Sequence, residues 1–162
     1  MLLVAPVVLA VLCGELAHEL EVLRPANVEL RVTAGDLTVL GDAAKIKTIL
    51  RNLLSNALKF TREGVVEICA DRGAGDEVRL VVRDTGPGIA PEDRSRIFEM
   101  FQQGGAGRGS GGSGLGLGLY LVKRVTGLLG GRVELVSAEV GDTRFEVHLP
   151  LRSVQRPRGA PP

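Results

Sequence analysis

The stretch that most constrains the fold runs from Asn52 to Thr61, at the end of an apolar period that begins at Ile46. Ile46, Ile49, Leu50, Leu53 and Ala57 fall on one face of a helix, which must be laid against other apolar surface. Asn52, Asn56 and Lys59 recur at i, i+4 and i+7 and form a polar stripe beside that face. Asn is about half a kcal/mol or more worse than Ala inside a helix, so two of them bordering an apolar face require a reason. One reason is a solvated polar edge. The other is chemistry: a carboxamide oxygen is a hard, neutral ligand for Mg²⁺, and a lysine ammonium suits phosphate oxygens.

The remaining sequence must supply a surface for that helix. At 162 residues, 44% apolar and 24% charged, the chain has the size and composition of one soluble globular domain with a sizeable core. A net charge of +1 gives no electrostatic case for nucleic acid or an anionic membrane. Aromatic content of 3%, without Trp, removes the stacking platforms of single-strand binders. Cys13 and Cys69 have neither CxxC nor His spacing and read as small buried hydrophobes of a reducing compartment. The apolar start, Met1 to Cys13, lacks a basic leader and falls short of the ~20 residues that span a bilayer. Leu9, Leu12, Leu16, Leu20 and Leu23 carry it on as one amphipathic helix ending near Arg24-Pro25, whose first half is expected to pack on the domain's sheet or on a partner segment.

Further along, Val28–Val32 and Leu37–Leu40 read as short strands, and Asp42 as the N-cap of the Asn-bearing helix. Val65–Ala70 and Val78–Arg83 are expected as two more strands, and Pro91 opens a short helix toward Phe98. Residues 102–113 are nearly all Gly, Ser, Ala and Gln and are expected to form a mobile lid. Leu115–Leu129 reads as a helix stopped by Gly130-Gly131, Val133–Val136 and Arg144–Leu149 as a closing hairpin, and 152–162 as a disordered tail after one domain over 1–151. The expected architecture is a two-layer α/β (α+β) sandwich. Three helices cover one face of a mixed, largely antiparallel sheet of about five strands.

Two glycine-rich groups sit where chemistry is expected. Asp84-Thr85-Gly86-Pro87-Gly88-Ile89 follows an apolar strand; its carboxylate can accept from an exocyclic amine, and its glycines let backbone pass close to a flat ligand. The same hexapeptide also reads as a plain turn. Gly114-Leu115-Gly116-Leu117-Gly118-Leu119 opens a helix, where backbone N–H groups make a phosphate site. Gly107–Gly112 formally satisfies GxGxxG but follows no strand, and no GxxxxGK[ST] occurs, so neither a dinucleotide fold nor a P-loop enzyme is indicated.

In this order the groups resemble the N box (Asn52–Thr61), G1 box (Asp84–Ile89), F box (Arg96–Phe101) and G2 box (Gly114–Leu119) of the catalytic and ATP-binding domain of bacterial two-component sensor histidine kinases. That family belongs to the wider group sharing the Bergerat (GHKL-type) ATP fold. The resemblance implies ATP and Mg²⁺ as cofactors, with Asn56 on Mg²⁺, Asn52 assisting and Lys59 at the phosphates. It implies Asp84 on the adenine amino group, with Gly86, Gly88 and Ile89 shaping the pocket and Thr143 supporting it. Gly114, Leu115, Gly116, Leu117 and Gly118 would cradle the phosphates, with Phe101 and Arg108 contributing from the lid side. Three departures stand out: Gly118 where the family more often has Ala or Ser, a shortened Gly141-Asp142-Thr143 turn, and Gln102-Gln103 where some relatives carry Arg.

Position 52 separates activities within the group. ATPase relatives and anti-sigma serine kinases carry Glu there as a general base, whereas Asn52 cannot take a proton. A neutral imidazole needs no such help, so phosphoryl transfer to histidine is favoured over hydrolysis. His18 lies too close to the N box for a phosphoacceptor hairpin and reads as a polar-face histidine; His148 reads as structural. The expected activity is therefore donation of the γ-phosphoryl group to a histidine on a dimerisation/phosphoacceptor domain outside this chain, with a response regulator downstream. No nucleic acid partner and no membrane insertion by this segment are expected, and the domain is expected in the cytoplasm whether or not the parent protein is membrane-anchored. A nucleotide-binding regulatory module, a pseudokinase and an anti-sigma-type serine kinase are the alternatives.

Overall fold

A computed structural model describes residues 2–99 and 117–150, and the backbone of 152–153. Its elements are β1 (Ala5–Val8), α1 (Leu9–Leu20) with a 3-10 turn (Glu21–Leu23), β2 (Asn27–Ala34), β3 (Thr38–Gly41), α2 (Ala43–Phe60), β4 (Glu63–Arg72), β5 (Glu77–Asp84), α3 (Gly118–Leu128), β6 (Arg132–Glu139), β7 (Asp142–Pro150) and β8 (Arg152–Ser153).

The main sheet has the order β2-β4-β5-β7-β6, with β2 parallel to β4 and every other pair antiparallel. Alternation along the strands sets its two faces. Val66, Ile68 and Ala70 on β4, Val78, Leu80 and Val82 on β5, and Phe145, Val147 and Leu149 on β7 point inward into one core. On α2, Ile46, Ile49, Leu50, Leu53, Leu54, Ala57 and Leu58 are buried in that core; α1 adds Leu9, Leu12, Leu16 and Leu20, and α3 adds Val122 and Val125. The outward positions hold paired charges: Arg79 with Asp71 at 2.7 Å, Arg83 with Asp142 at 2.8 Å and Arg132 with Glu77 at 2.7 Å. The expected sandwich, three helices on one face of a five-stranded mixed sheet, is the fold observed.

Asp42 caps α2 as expected, its carboxylate accepting from the Lys45 N–H at 3.2 Å, and it also takes the Leu3 N–H at 3.0 Å. Glu19 on α1 then binds Lys47 at 2.5 Å and Arg51 at 2.6 Å on α2, fixing the two helices side by side.

Four local expectations are corrected. Residues 5–8 are strand rather than helix: Pro6 and β-branched Val7 and Val8 resist an α-helical start, and they pair instead with β3, Val7 opposite Val39. Val7, Leu9 and Leu12 are buried as the packing hypothesis required, while Leu2, Leu3, Val4, Val8 and Val11 stay exposed. Residues 91–98 form successive turns rather than a helix, bonded Asp93 to Ala90, Arg96 to Asp93 and Glu99 to Arg96 at 2.9–3.0 Å. So short a segment nucleates a helix poorly, and packing of Ile97 and Phe98 on the core overrides it, Phe98 lying edge-on to Phe145 at 6.0 Å. Arg152–Ser153 pairs with β3 two residues into the expected tail, completing a small sheet β1-β3-β8. Cys13 is buried, but Cys69 is only half-buried on the outer face; burial pushes both thiols up to about 11.

Candidate functional site

The inward rows of the sheet end on polar groups. Position 84 has the parity of Val78, Leu80 and Val82, so β5 delivers the Asp84 carboxylate to the helix side at the mouth of the sandwich. Thr143 has the parity of Phe145, Val147 and Leu149 on β7 and is the register partner of Asp84. Both are buried, at 8% and 5% exposure. The Asp84 carboxylate accepts from the Gly86 N–H at 2.9 Å. Burial pushes its carboxyl above the usual carboxylate range, opposed by the Gly86 N–H and the Thr61 hydroxyl and reinforced by Asp142.

Thr61 is the C-cap of α2 and fully buried. A Cβ on Gly86 would lie 2.9 Å from Asp84 Oδ1 and 3.1 Å from Thr61 Oγ1, so the two oxygens converge on that glycine. Thr61 Oγ1 holds no well-formed hydrogen bond; it lies close enough to favour the charged carboxylate, but its geometry falls short of a bond. A buried carboxylate with spare acceptor capacity beside an orphaned hydroxyl fits a ligand bearing both donor and acceptor, such as an adenine edge.

The loop after Asp84 has no secondary structure of its own and is moulded on the β6–β7 hairpin. The Ile89 N–H donates to Ala138 O at 2.9 Å and the Gly141 N–H to Gly86 O at 2.8 Å. Gly88 has φ +75°, and a Cβ there would stand 2.5 Å from Ala138 O. Gly88→Ala is accordingly expected to destabilise the domain by about 2–4 kcal/mol, the sum of left-handed backbone strain and overlap, read as a lowered urea midpoint. Thr85, the second residue of the hexapeptide, faces away from this pocket: its hydroxyl accepts from the Val65 N–H at 2.9 Å, and its N–H donates to Val65 O at 3.0 Å.

A second group of expected site residues meets at the start of α3. Asn52 Nδ2 donates to Thr48 O at 2.7 Å, which leaves Oδ1 aimed at Gly118, where a Cβ would come within 3.2 Å. One helix therefore touches both walls, α3 at Asn52 and the Asp84 loop at Thr61, about 13 Å apart along its axis. Asn56 lies between them, half-buried, with no hydrogen-bond partner among the described residues. Lys59 is exposed, its ammonium 5.4 Å over the Phe60 ring. Among the described residues no group of three or more His, Cys, Asp or Glu could hold a metal ion.

Thus the structure gathers Asp84, Gly86, Gly88, Ile89 and Thr143 around one loop and brings Asn52 to Gly118, with Asn56 and Lys59 on the α2 stripe between Asn52 and Thr61. Leu117 is exposed and immediately precedes α3. Phe101, Arg108, Gly114, Leu115 and Gly116, with the expected lid 102–113, lie outside the described residues. Sequence reasoning assigned no role to Thr61, although it closes the ten-residue stretch that carries the Asn stripe, and none to Arg94, which bonds Ile89 and Ala138.

Residues 41–153 match the family model described as histidine kinase-, DNA gyrase B- and HSP90-like ATPase. The sensor-like histidine kinase SenX3 of Mycobacterium tuberculosis is 37% identical over 126 residues, covering 77% of this chain and 31% of that protein. The autoinducer 2 sensor kinase/phosphatase LuxQ of Vibrio cholerae is 38% identical over 150 residues, covering 90% of this chain and 17% of LuxQ. The chain spans a third or less of the length of these relatives. Among solved structures, full-length ShkA in complex with AMPPNP superposes with a TM-score of 0.85 at 33% identity, over 97% of this chain and 33% of ShkA. The mycobacterial sensor histidine kinase MprB superposes with a TM-score of 0.78 at 30% identity, over 93% of this chain and all of the MprB chain.

Proposed function

The chain belongs to the family of histidine kinase-, DNA gyrase B- and HSP90-like ATPases, and on that premise we propose that its cleft binds Mg·ATP and passes the γ-phosphoryl group to a histidine on a phosphoacceptor domain outside this chain. The observation that carries this reading is the single helix α2, which sets the half-buried Asn52 beside α3 and its capping Thr61 against Asp84, with Asn56 on the stripe between them.

Asp84 accepts from the adenine amino group, and the Thr61 hydroxyl is free to bond a ring nitrogen, directly or through water. Thr143 backs the carboxylate from β7, and Gly86, Gly88 and Ile89 give the base a flat wall. At the other end the N–H groups at the start of α3 face the phosphates, joined from the flanking segment by Gly114, Leu115, Gly116 and Arg108. Lys59 reaches the phosphates from the α2 edge. Asn56 would hold Mg²⁺, with Asn52 assisting; the ion neutralises charge on the triphosphate when bound. One or two neutral amides bind Mg²⁺ weakly on their own, so Asn56 and Asn52 would hold the ion only together with the nucleotide.

Asn52 cannot act as a base, and its amide is already committed to Thr48 O. A water or hydroxyl nucleophile therefore lacks a proton acceptor at this position, whereas a neutral imidazole does not need one. A response regulator would receive the phosphoryl group next, and a cytoplasmic placement belongs to the same proposal. Among the described residues no helix is long and apolar enough to cross a membrane.

Labelled ATP and Mg²⁺ should give phosphohistidine on a separately supplied acceptor hairpin and none on this chain. Label on His18 or His148 would overturn the missing-acceptor reading. Tight ATP binding without transfer to any acceptor would support a regulatory module instead.

A further inference from the structure

We infer that Arg94 is a positioning residue for the proposed adenine site, a guanidinium strap that ties the loop after Asp84 to the end of β6 in the β6–β7 hairpin. The inference rests on the nucleotide-binding reading above. Arg94 is half-buried in the turns that follow the loop. Its Nε donates to Ile89 O at 2.9 Å, and one terminal nitrogen donates to Ala138 O and to Glu139 Oε1, both at 3.3 Å. Ile89 is thereby held at both ends, its N–H on Ala138 O and its carbonyl on Arg94. Ala138 O accepts from the loop and from the strap together.

These bonds matter because residues 85–90 belong to no helix or strand. The position of Gly86 and Gly88 against a flat base then depends on three attachments to the hairpin: the Ile89 N–H, the Gly141 N–H and Arg94. Of these, Arg94 is the side chain whose fixed planar fork spans loop and hairpin at once, a geometry a lysine ammonium does not reproduce. The arm to Glu139 is a surface ion pair, with the Glu139 side chain 73% exposed, and contributes little. The two carbonyl bonds, made by a charged donor, carry the effect.

The test compares the wild-type domain with Arg94→Ala, Arg94→Lys and Glu139→Gln, measuring adenosine and ATP affinity by calorimetry, amide hydrogen exchange and thermal melting. Arg94→Ala should weaken adenosine and ATP by the same factor, about tenfold, because the phosphate end is untouched. Exchange at the Ile89 and Gly141 amides should quicken while the β4 and β5 core amides keep their protection. Arg94→Lys should stay near the Ala variant, and Glu139→Gln near wild type. If Arg94→Ala fails to fold, Arg94→Lys carries the comparison. Unchanged adenosine affinity in the folded Arg94 variants would overturn the strap while leaving the nucleotide reading intact. A loss of affinity matched by loss of core protection would make Arg94 a general structural residue and also overturn it. Failure of the wild-type domain to bind ATP would overturn both.

Discussion

Asp84→Asn is expected to weaken ATP and adenosine binding by about a hundredfold or more while leaving the domain at least as stable as wild type. The substituted amide keeps its oxygen on the Gly86 N–H, so the loop retains its local bond. The position facing the base becomes an NH₂ opposite the adenine amino group, two donors in a buried site. Stability moves the other way because burial holds the Asp84 carboxyl above its ordinary value. Such a group binds its proton more tightly folded than unfolded. Its contribution therefore favours the fold at acid pH and is lost as pH rises through the raised value. At neutral pH the charged carboxylate costs stability that a neutral amide does not. A melting temperature unchanged or raised, alongside lost affinity, is the signature; a melting temperature lowered by several degrees would mean that Asp84 serves the fold. In the wild-type domain, adenosine affinity should fall as pH is lowered through the same raised value, and that fall should be absent in Asp84→Asn.

Asn56→Ala is expected to leave adenosine binding unchanged but to remove the Mg²⁺ dependence of ATP affinity and to cut phosphoryl transfer by roughly 10²–10³. Asn56 has no hydrogen-bond partner to lose among the described residues and sits inside α2, where Ala is the better helix former by about half a kcal/mol. The variant should thus melt no lower than wild type, so a loss of transfer cannot be assigned to unfolding. The two substitutions remove contacts to different parts of the nucleotide, and their effects on ATP affinity should add within a few tenths of a kcal/mol. Titration of ATP with and without Mg²⁺, with transfer to a supplied acceptor domain, checks both. Retained Mg²⁺ dependence in Asn56→Ala would remove that residue from the metal's surroundings.

The sequence made some of this legible and hid the rest for physical reasons. The 3.6-residue period from Ile46 to Ala57 sufficed to find α2 and to set its Asn stripe on the edge of the buried face. The inward placement of Asp84 follows from strand parity with Val78, Leu80 and Val82. Neither Thr61 nor Arg94 carries a local signal, because each acts on a segment that only folding brings near: Thr61 on Gly86, Arg94 on Ala138. The small sheet was hidden for the same reason. Its outer strands are four and two residues long, and each exists through pairing with β3 across a long stretch of chain. Residues 91–98 show local helix signals losing to the anchoring of Ile97 and Phe98.

The strand order also orders events on the ribosome. β2, β4 and β5 with α1 and α2 leave the exit tunnel before β6 and β7 and can assemble as a unit, while the partner that covers the free edge of β5 is β7, made later. Thr143, the Gly141 attachment and the carbonyl beneath Gly88 all arrive with that hairpin. A nascent chain halted before β6 therefore carries Asp84 on an uncovered edge strand without the attachments that hold the loop after it; on the proposed reading nucleotide cannot serve as a template for folding and can only reward its completion.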